Sequence, residues 1–442
     1  MRKGIAVSVA ILFLMSGISW AGDIYVSKST GSNSNPGTKE APKKLLWKVL
    51  NDLSEGDVIR VAEGTYHGRK KLGVMPKLTK SNVIIEGGWK ADFSARDPFK
   101  HLTVITASGD RQGDTAWVFH SEGPTNITID GFMIDRGAGM YYVSDGEPGA
   151  NKRIEGHVDS SPWGYRGINK KKSGSSPAIQ LLGRGSFTVR NNIMVNNPWW
   201  GIYVKGGGEG QIIIENNFIL SYRGRGIEAI PGGGWGKPQW VIRNNTVAFG
   251  HTDEGRALSI DPRKGTGNYL VENNVFAFGT QSGFMTKFGA KGDSLALNNN
   301  LFFYFLKADA GNGGSSICNV DEFEDELECN MDDNNVHEVP KFIVKMSRKW
   351  FHRWSQNAGA NDLMARDEEL MSARRSLGLE AFELAGYEKT FGSYKELPDG
   401  RPGYGMSRYP FPMKKGNEGM DWSLWVLPLI GNDGDRGIQS FK

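Results

Sequence analysis

The sequence predicts an all-β solenoid, a parallel β-helix. Three observations carry this. A short phrase built on an asparagine pair recurs five times, as VRNN, IENN, IRNN, VENN and LNNN, beginning at Val189, Ile214, Ile242, Val271 and Leu297. The second asparagines, Asn192, Asn217, Asn245, Asn274 and Asn300, are spaced 25, 28, 29 and 26 residues apart, a period that marks a stacked repeat. The residues around each phrase alternate Ile, Val and Phe with polar positions in short runs bounded by Gly and Asn, which is the signature of strands.

Each element follows in chain order. Arg2 and Lys3 precede an apolar run of 11 residues from Ile5 to Met15, too short to span a bilayer, and Ser19-Trp20-Ala21 ends on a small residue. This reads as an export signal, residues 1–21, cleaved after Ala21. It places the mature chain in the periplasm or outside the cell, with no membrane attachment once the signal is removed. The solenoid is expected over 22–310. Between the asparagine phrases lies a second strand per coil, in GIYVKG at Gly201, GIEAI at Gly226, ALSID at Ala257 and GFMTKF at Gly283. Weaker copies, ITIDGFMID from Ile127 and VIIEGGW from Val83, extend the repeat upstream with Gly expected in place of the second Asn. Asn and Gly both tolerate the left-handed backbone that a sharp inter-strand corner needs, and stacked Asn amides can bond from coil to coil.

Two regions break the period. Residues 138–176 form an insertion carrying Trp163, Tyr165 and the run Lys170 to Lys172. Residues 311–442 form a C-terminal extension, irregular with some helix, expected to pack on the solenoid. It holds the two cysteines of the chain, Cys318 and Cys329, which in an exported protein are expected to form one disulfide.

The stretch from Ile24 to Gly68 contains Gly37, Thr38, Pro42, an apolar segment around Lys43 to Leu53, then Gly56, Asp57, Ile59, Gly64, Thr65 and Tyr66. It resembles the opening of right-handed, single-stranded parallel β-helix proteins of the pectate-lyase-like superfamily. The resemblance covers roughly 24–310. It implies a helix laid across the open first coil, where unpaired strand edges need a cap. It leaves function open, because that superfamily holds lyases, hydrolases, epimerases and proteins without catalysis.

Composition narrows the function classes. The formal net charge is +4, two units of which come from Arg2 and Lys3, so nothing marks the mature chain for nucleic acid. No nucleophile elbow, zinc motif or phosphate loop is present. The second strands offer the strongest cluster. With Ile179, Ile202, Ile227, Leu258 and Phe284 facing inward, alternation sends out one row of Gln180, Tyr203, Glu228, Ser259 and Met285. A second row reads Leu182, Lys205, Ile230, Asp261 and Lys287. Arg225, Arg263 and His251 lie in or beside the flanking turns.

Glu228 and Asp261, one coil and two residues apart, have origins separated by about 8 Å on a β lattice, a spacing that suits an inverting glycoside hydrolase. A lyase would use the same face differently. Lys205 or Lys287 would take the proton, Arg263 or Arg225 would hold a substrate carboxylate, and Glu228 with Asp261 would hold a Ca²⁺. Calcium is the one cofactor this suggests. Tyr203, Arg225, His251, Trp163 and Tyr165 are the candidate substrate contacts. The expected partner is a polysaccharide, with uronate units among the options, and the expected state is a monomer. A polysaccharide lyase or glycoside hydrolase is the leading reading, with a non-catalytic glycan-binding or surface protein as the alternative.

Overall fold

The computed structural model describes residues 22–71, 73–106, 118–135, 142–143, 164–165, 177–197, 200–222, 224–250, 255–261, 265–279, 281–286, 294–305, 308–313, 317, 320–327, 329–331, 334–338, 340–341, 395–396, 402–403 and 430–441. Three parallel sheets of ten, nine and seven strands make a parallel β-helix. The first sheet runs from Asp23–Val26 to Asn330–Met331 and the second from Gly64–Tyr66 to Val336–His337. The third comprises Phe119–Gly123, Ile179–Arg184, Ile202–Gly207, Arg225–Pro231, Arg256–Ile260, Ser282–Thr286 and Ala308–Asn312. One strand of each sheet makes a coil, and the inward residues Ile179, Ile202, Ile227, Leu258 and Phe284 stack in register and are fully buried.

The asparagine pair divides its labour. The first member, Asn191, Asn216, Asn244, Asn273 or Asn299, takes the left-handed backbone with φ from 50° to 55°, where an Asn side chain is tolerated. The second member is buried without exposure. Its Oδ1 accepts from the backbone N–H and the Nδ2 of the preceding ladder residue, as between Asn217 and Asn245 at 3.1 and 3.0 Å. Its Nδ2 donates both to the next Asn and to a carbonyl of the preceding coil, Ile214 O for Asn245 at 2.8 Å. Every polar atom of the ladder is thereby matched inside the core. Upstream, Gly131 with φ 82° stands at the first Asn position, and Phe132 takes the second. This corrects the expectation that Gly replaces the second Asn, since the corner residue is the one that needs positive φ. The ladder also passes residue 310. Asn335 accepts from Asn300, and Val336–His337 pairs with Leu301–Phe305.

The helix Leu46–Asn51 buries Leu46, Val49 and Leu50 in the core cluster that holds Val26 and Ile59, and so closes the first coil. The outer row of the first sheet is an alternating charge ladder. Arg60 lies between Asp23 and Glu86 at 2.5 and 3.7 Å, Arg190 reaches Asp130 at 2.7 Å, and Arg243 reaches Glu215 at 2.8 Å and Glu272 at 3.8 Å. Residues 430–441 run across the asparagine corners. Gln439 N–H donates to Asn216 Oδ1, Asn244 Nδ2 donates to Asp435 O, Gly437 N–H donates to Asn273 O, and Arg436 donates to Asn299 Oδ1. Ile438 is buried there, with its N–H on Thr246 Oγ1.

The expected Cys318–Cys329 disulfide is not formed at Cys329. That residue carries a free, buried thiol that donates to Phe323 O at 3.5 Å, and Cys318 lies outside the described residues. The side chain is turned into the core beside Phe323 instead of outward along an exposed loop. Of the 138–176 insertion, Tyr142–Val143 and Gly164–Tyr165 pair antiparallel, with Tyr165 opposite Tyr142.

Candidate functional site

The outer face of the third sheet brings the predicted residues into adjacent rows. Strand pairing aligns His120, Gln180, Tyr203, Glu228, Ser259 and Met285 across six coils. A second row, two residues further along each strand, aligns Glu122, Leu182, Lys205 and Ile230. Asp261 continues that row, its N–H donating to Ala229 O at 3.0 Å just beyond Arg256–Ile260. The β alternation places these side chains outward, yet Glu228, Ser259, Met285 and Ile230 are only 3, 5, 6 and 7% exposed. This part of the face is therefore dry.

Glu228 is the electrostatic focus. Burial pushes its carboxyl up from 4.5 to about 7, against the pull of Arg225 and Arg256, and Asp261 adds to the rise by like-charge repulsion. Arg225 Nη1 lies 2.6 Å from Glu228 Oε2, a charge contact and not a well-aligned hydrogen bond. The Arg225 guanidinium lies 5.5 Å from the centre of the Trp200 ring, and Trp200 stacks on Tyr203 at 5.0 Å with 14° between planes. Tyr203 sits beside Glu228 on the preceding coil. Burial first, then the Glu228 charge, raises its phenol. Arg256 occupies the position equivalent to Arg225 on the next coil and donates to Gln281 Oε1 at 2.7 Å. Two arginines and two stacked rings thus frame one carboxylic acid that is half ionised near neutral pH. Such a group can give a proton to a leaving oxygen and take it back.

At the far end of the face, Trp235 folds back over the sheet. A β-carbon on either Gly207 or Gly232 would collide with the Trp235 side chain, so the two glycines create its seat. Lys205 Nζ lies 5.3 Å and the Arg184 guanidinium 6.0 Å from the centre of that ring. At the opposite end His120 is half-buried, and burial, then nearby Lys77, lowers its pKa.

The structure therefore assembles Tyr203, Lys205, Arg225, Glu228 and Asp261 on one face. Arg263, Lys287, His251 and Trp163 lie outside the described residues, as does the side chain of Tyr165. Among the described residues no group of three or more His, Cys, Asp or Glu could hold a metal ion, so Glu228 and Asp261 lack a third such ligand there. Trp200, Trp235 and Arg184 were not among the candidates drawn from the sequence. The signal for Trp235 was present in GGGWG from Gly232 to Gly236, a large ring among glycines at a turn.

No family model matches the sequence, and no curated protein matches it. Two solved structures are similar. One is described as XylC in complex with xylose, with 11% identity, a TM-score of 0.39, and 67% of each chain covered. The other is a GH136 lacto-N-biosidase from Eubacterium ramulus, with 11% identity, a TM-score of 0.28, and coverage of 72% of this chain and 67% of that one. At that identity neither assigns a role to any residue.

Proposed function

We propose that this chain hydrolyses glycosidic bonds of a polysaccharide on the outer face of the third sheet, with Glu228 as general acid and Asp261 as its partner carboxylate. The observation that carries the reading is the raised pKa of Glu228, a buried carboxyl held near 7 beside a more exposed carboxyl one coil away. A buried carboxyl held largely neutral next to a more exposed one is the arrangement of an acid with a partner carboxylate. The register places their origins about 8 Å apart, within the range that leaves room for a water between them, which favours inversion. In the mechanism the neutral Glu228 protonates the leaving oxygen, Asp261 orients and deprotonates the attacking water, and Arg225 stabilises the Glu228 carboxylate as it forms. The Trp200–Tyr203 stack lends a rigid aromatic edge for a sugar ring.

The test is release of reducing ends from a panel of neutral and acidic polysaccharides, with ultraviolet absorbance followed in parallel for unsaturated uronate ends. Reducing ends alone, abolished by Glu228→Gln, support hydrolysis. Both signals rising together, with Glu228→Gln active and Lys205→Ala dead, would instead establish β-elimination. Silence on every substrate would leave a glycan-binding face without catalysis. Export with cleavage after Ala21 belongs to the same reading, and sequencing the N-terminus of the secreted protein tests it.

A further inference from the structure

We propose that Arg184, Lys205 and Trp235 form a subsite for an acidic sugar, one carrying a carboxylate or a sulfate, adjoining Glu228. The proposal rests on the polysaccharide reading above and adds the charge class of the substrate. Its first support is a contrast among the outward cations of the solenoid. On the first sheet, Arg60, Arg190 and Arg243 each meet a carboxylate on a neighbouring coil within 4 Å. On the third sheet Arg225 likewise meets Glu228, whereas Lys205 and Arg184, one coil apart, pair with no carboxylate among the described residues and lie over the Trp235 ring. A cation over an aromatic face keeps its hydrogen-bond donors for another partner.

The second support is the way the ring is built in. Trp235 is half-exposed and fills the space left by the missing side chains of Gly207 and Gly232. A tryptophan ring offers the flat apolar face on which a sugar ring packs, and its two neighbouring cations then flank any acid group that sugar carries. The third support is position. Lys205 is one coil before Glu228 and two residues further along the strand, which places the two origins about 8 Å apart. Asp261 stands at the matching place one coil after Glu228. An acidic unit seated on Trp235 therefore adjoins the unit whose bond lies at Glu228.

The experiment uses the full chain with Glu228→Gln, so that bound polymer is not consumed. Its affinity is measured for alginate, polygalacturonate, chondroitin sulfate and carrageenan beside xylan, galactomannan and arabinan. The expected result is tightest binding to an acidic polymer. Arg184→Ala with Lys205→Ala should weaken it at least tenfold and flatten its salt dependence. Trp235→Ala should weaken it without changing the salt dependence. Carboxyl reduction or desulfation of the bound polymer then identifies the acid group. A neutral polymer as tightest ligand, unchanged affinity in the double variant, or no binding to any polymer would overturn the subsite. Binding that meets these criteria while the Glu228 protein cleaves nothing would sink the hydrolase alone. Cleavage of a neutral polymer that is indifferent to Arg184 and Lys205 would sink the subsite alone.

Discussion

Replacing Glu228 by Gln has a consequence for stability that is separate from activity and runs in a definite direction with pH. The folded carboxyl is raised to about 7 from an ordinary 4.5 by burial. Between those two values the folded chain holds a proton that the unfolded chain has released, so stability falls as pH rises through the window. The gap, at about 1.4 kcal/mol for each pH unit, comes to about 3 kcal/mol. The amide of Gln keeps the shape of the neutral acid and does not titrate. The native protein, measured against Glu228→Gln, should therefore lose about 3 kcal/mol between pH 4 and pH 8. Urea unfolding of both proteins at several pH values across this range gives the difference directly, and other titrating groups cancel. A difference that is flat with pH would refute the assignment of a buried, raised carboxyl. A difference of opposite slope would show that Arg225 outweighs burial and holds Glu228 ionised.

Three further outcomes are expected. Arg225→Leu removes the largest influence holding the Glu228 pKa down, so the basic limb of the pH–rate profile should move to higher pH. Asn245→Ala deletes a side chain that accepts from Asn217 and donates to Ile214 O and Asn274. It leaves those buried groups unmatched, at a cost of about 3–5 kcal/mol in denaturant unfolding. Removing residues 431–441 exposes the asparagine corners that they bind. Hydrogen exchange should then accelerate at Asn216, Thr246 and Asn273 while the N-terminal coils keep their protection.

The solenoid was legible because its period is written in residues that only one geometry satisfies. A buried Asn in every coil is matched by the Asn stacked next to it, and a corner needs Asn or Gly. The row containing Tyr203 and Glu228 was legible for the same reason, since alternation and register fix which residues align. What alternation could not show is that an outward residue is buried. Glu228, Ser259 and Met285 look like solvated positions in the sequence, and their burial follows from how neighbouring coils stack around them, which a repeat pattern does not show. The disulfide expectation failed on similar ground, because cysteine count and export say nothing about which way Cys329 turns. Asn335 escaped notice because 35 residues separate it from Asn300, well outside the period set by the earlier phrases.

The segment 430–441 changes what kind of folding problem this chain presents. A parallel β-helix is built almost wholly from contacts between adjacent coils, so its coils can be laid down one after another as the chain emerges. The bonds of Gln439 to Asn216 and of Ile438 to Thr246 join residues 223 and 192 positions apart. They cannot form until nearly every coil has been synthesised. An assembly that grows by local steps is thus finished by one long-range closure, which couples the middle coils to a late event. A central coil that frays must first release that closure, so opening of this part of the stack is tied to a part of the sequence made long after it.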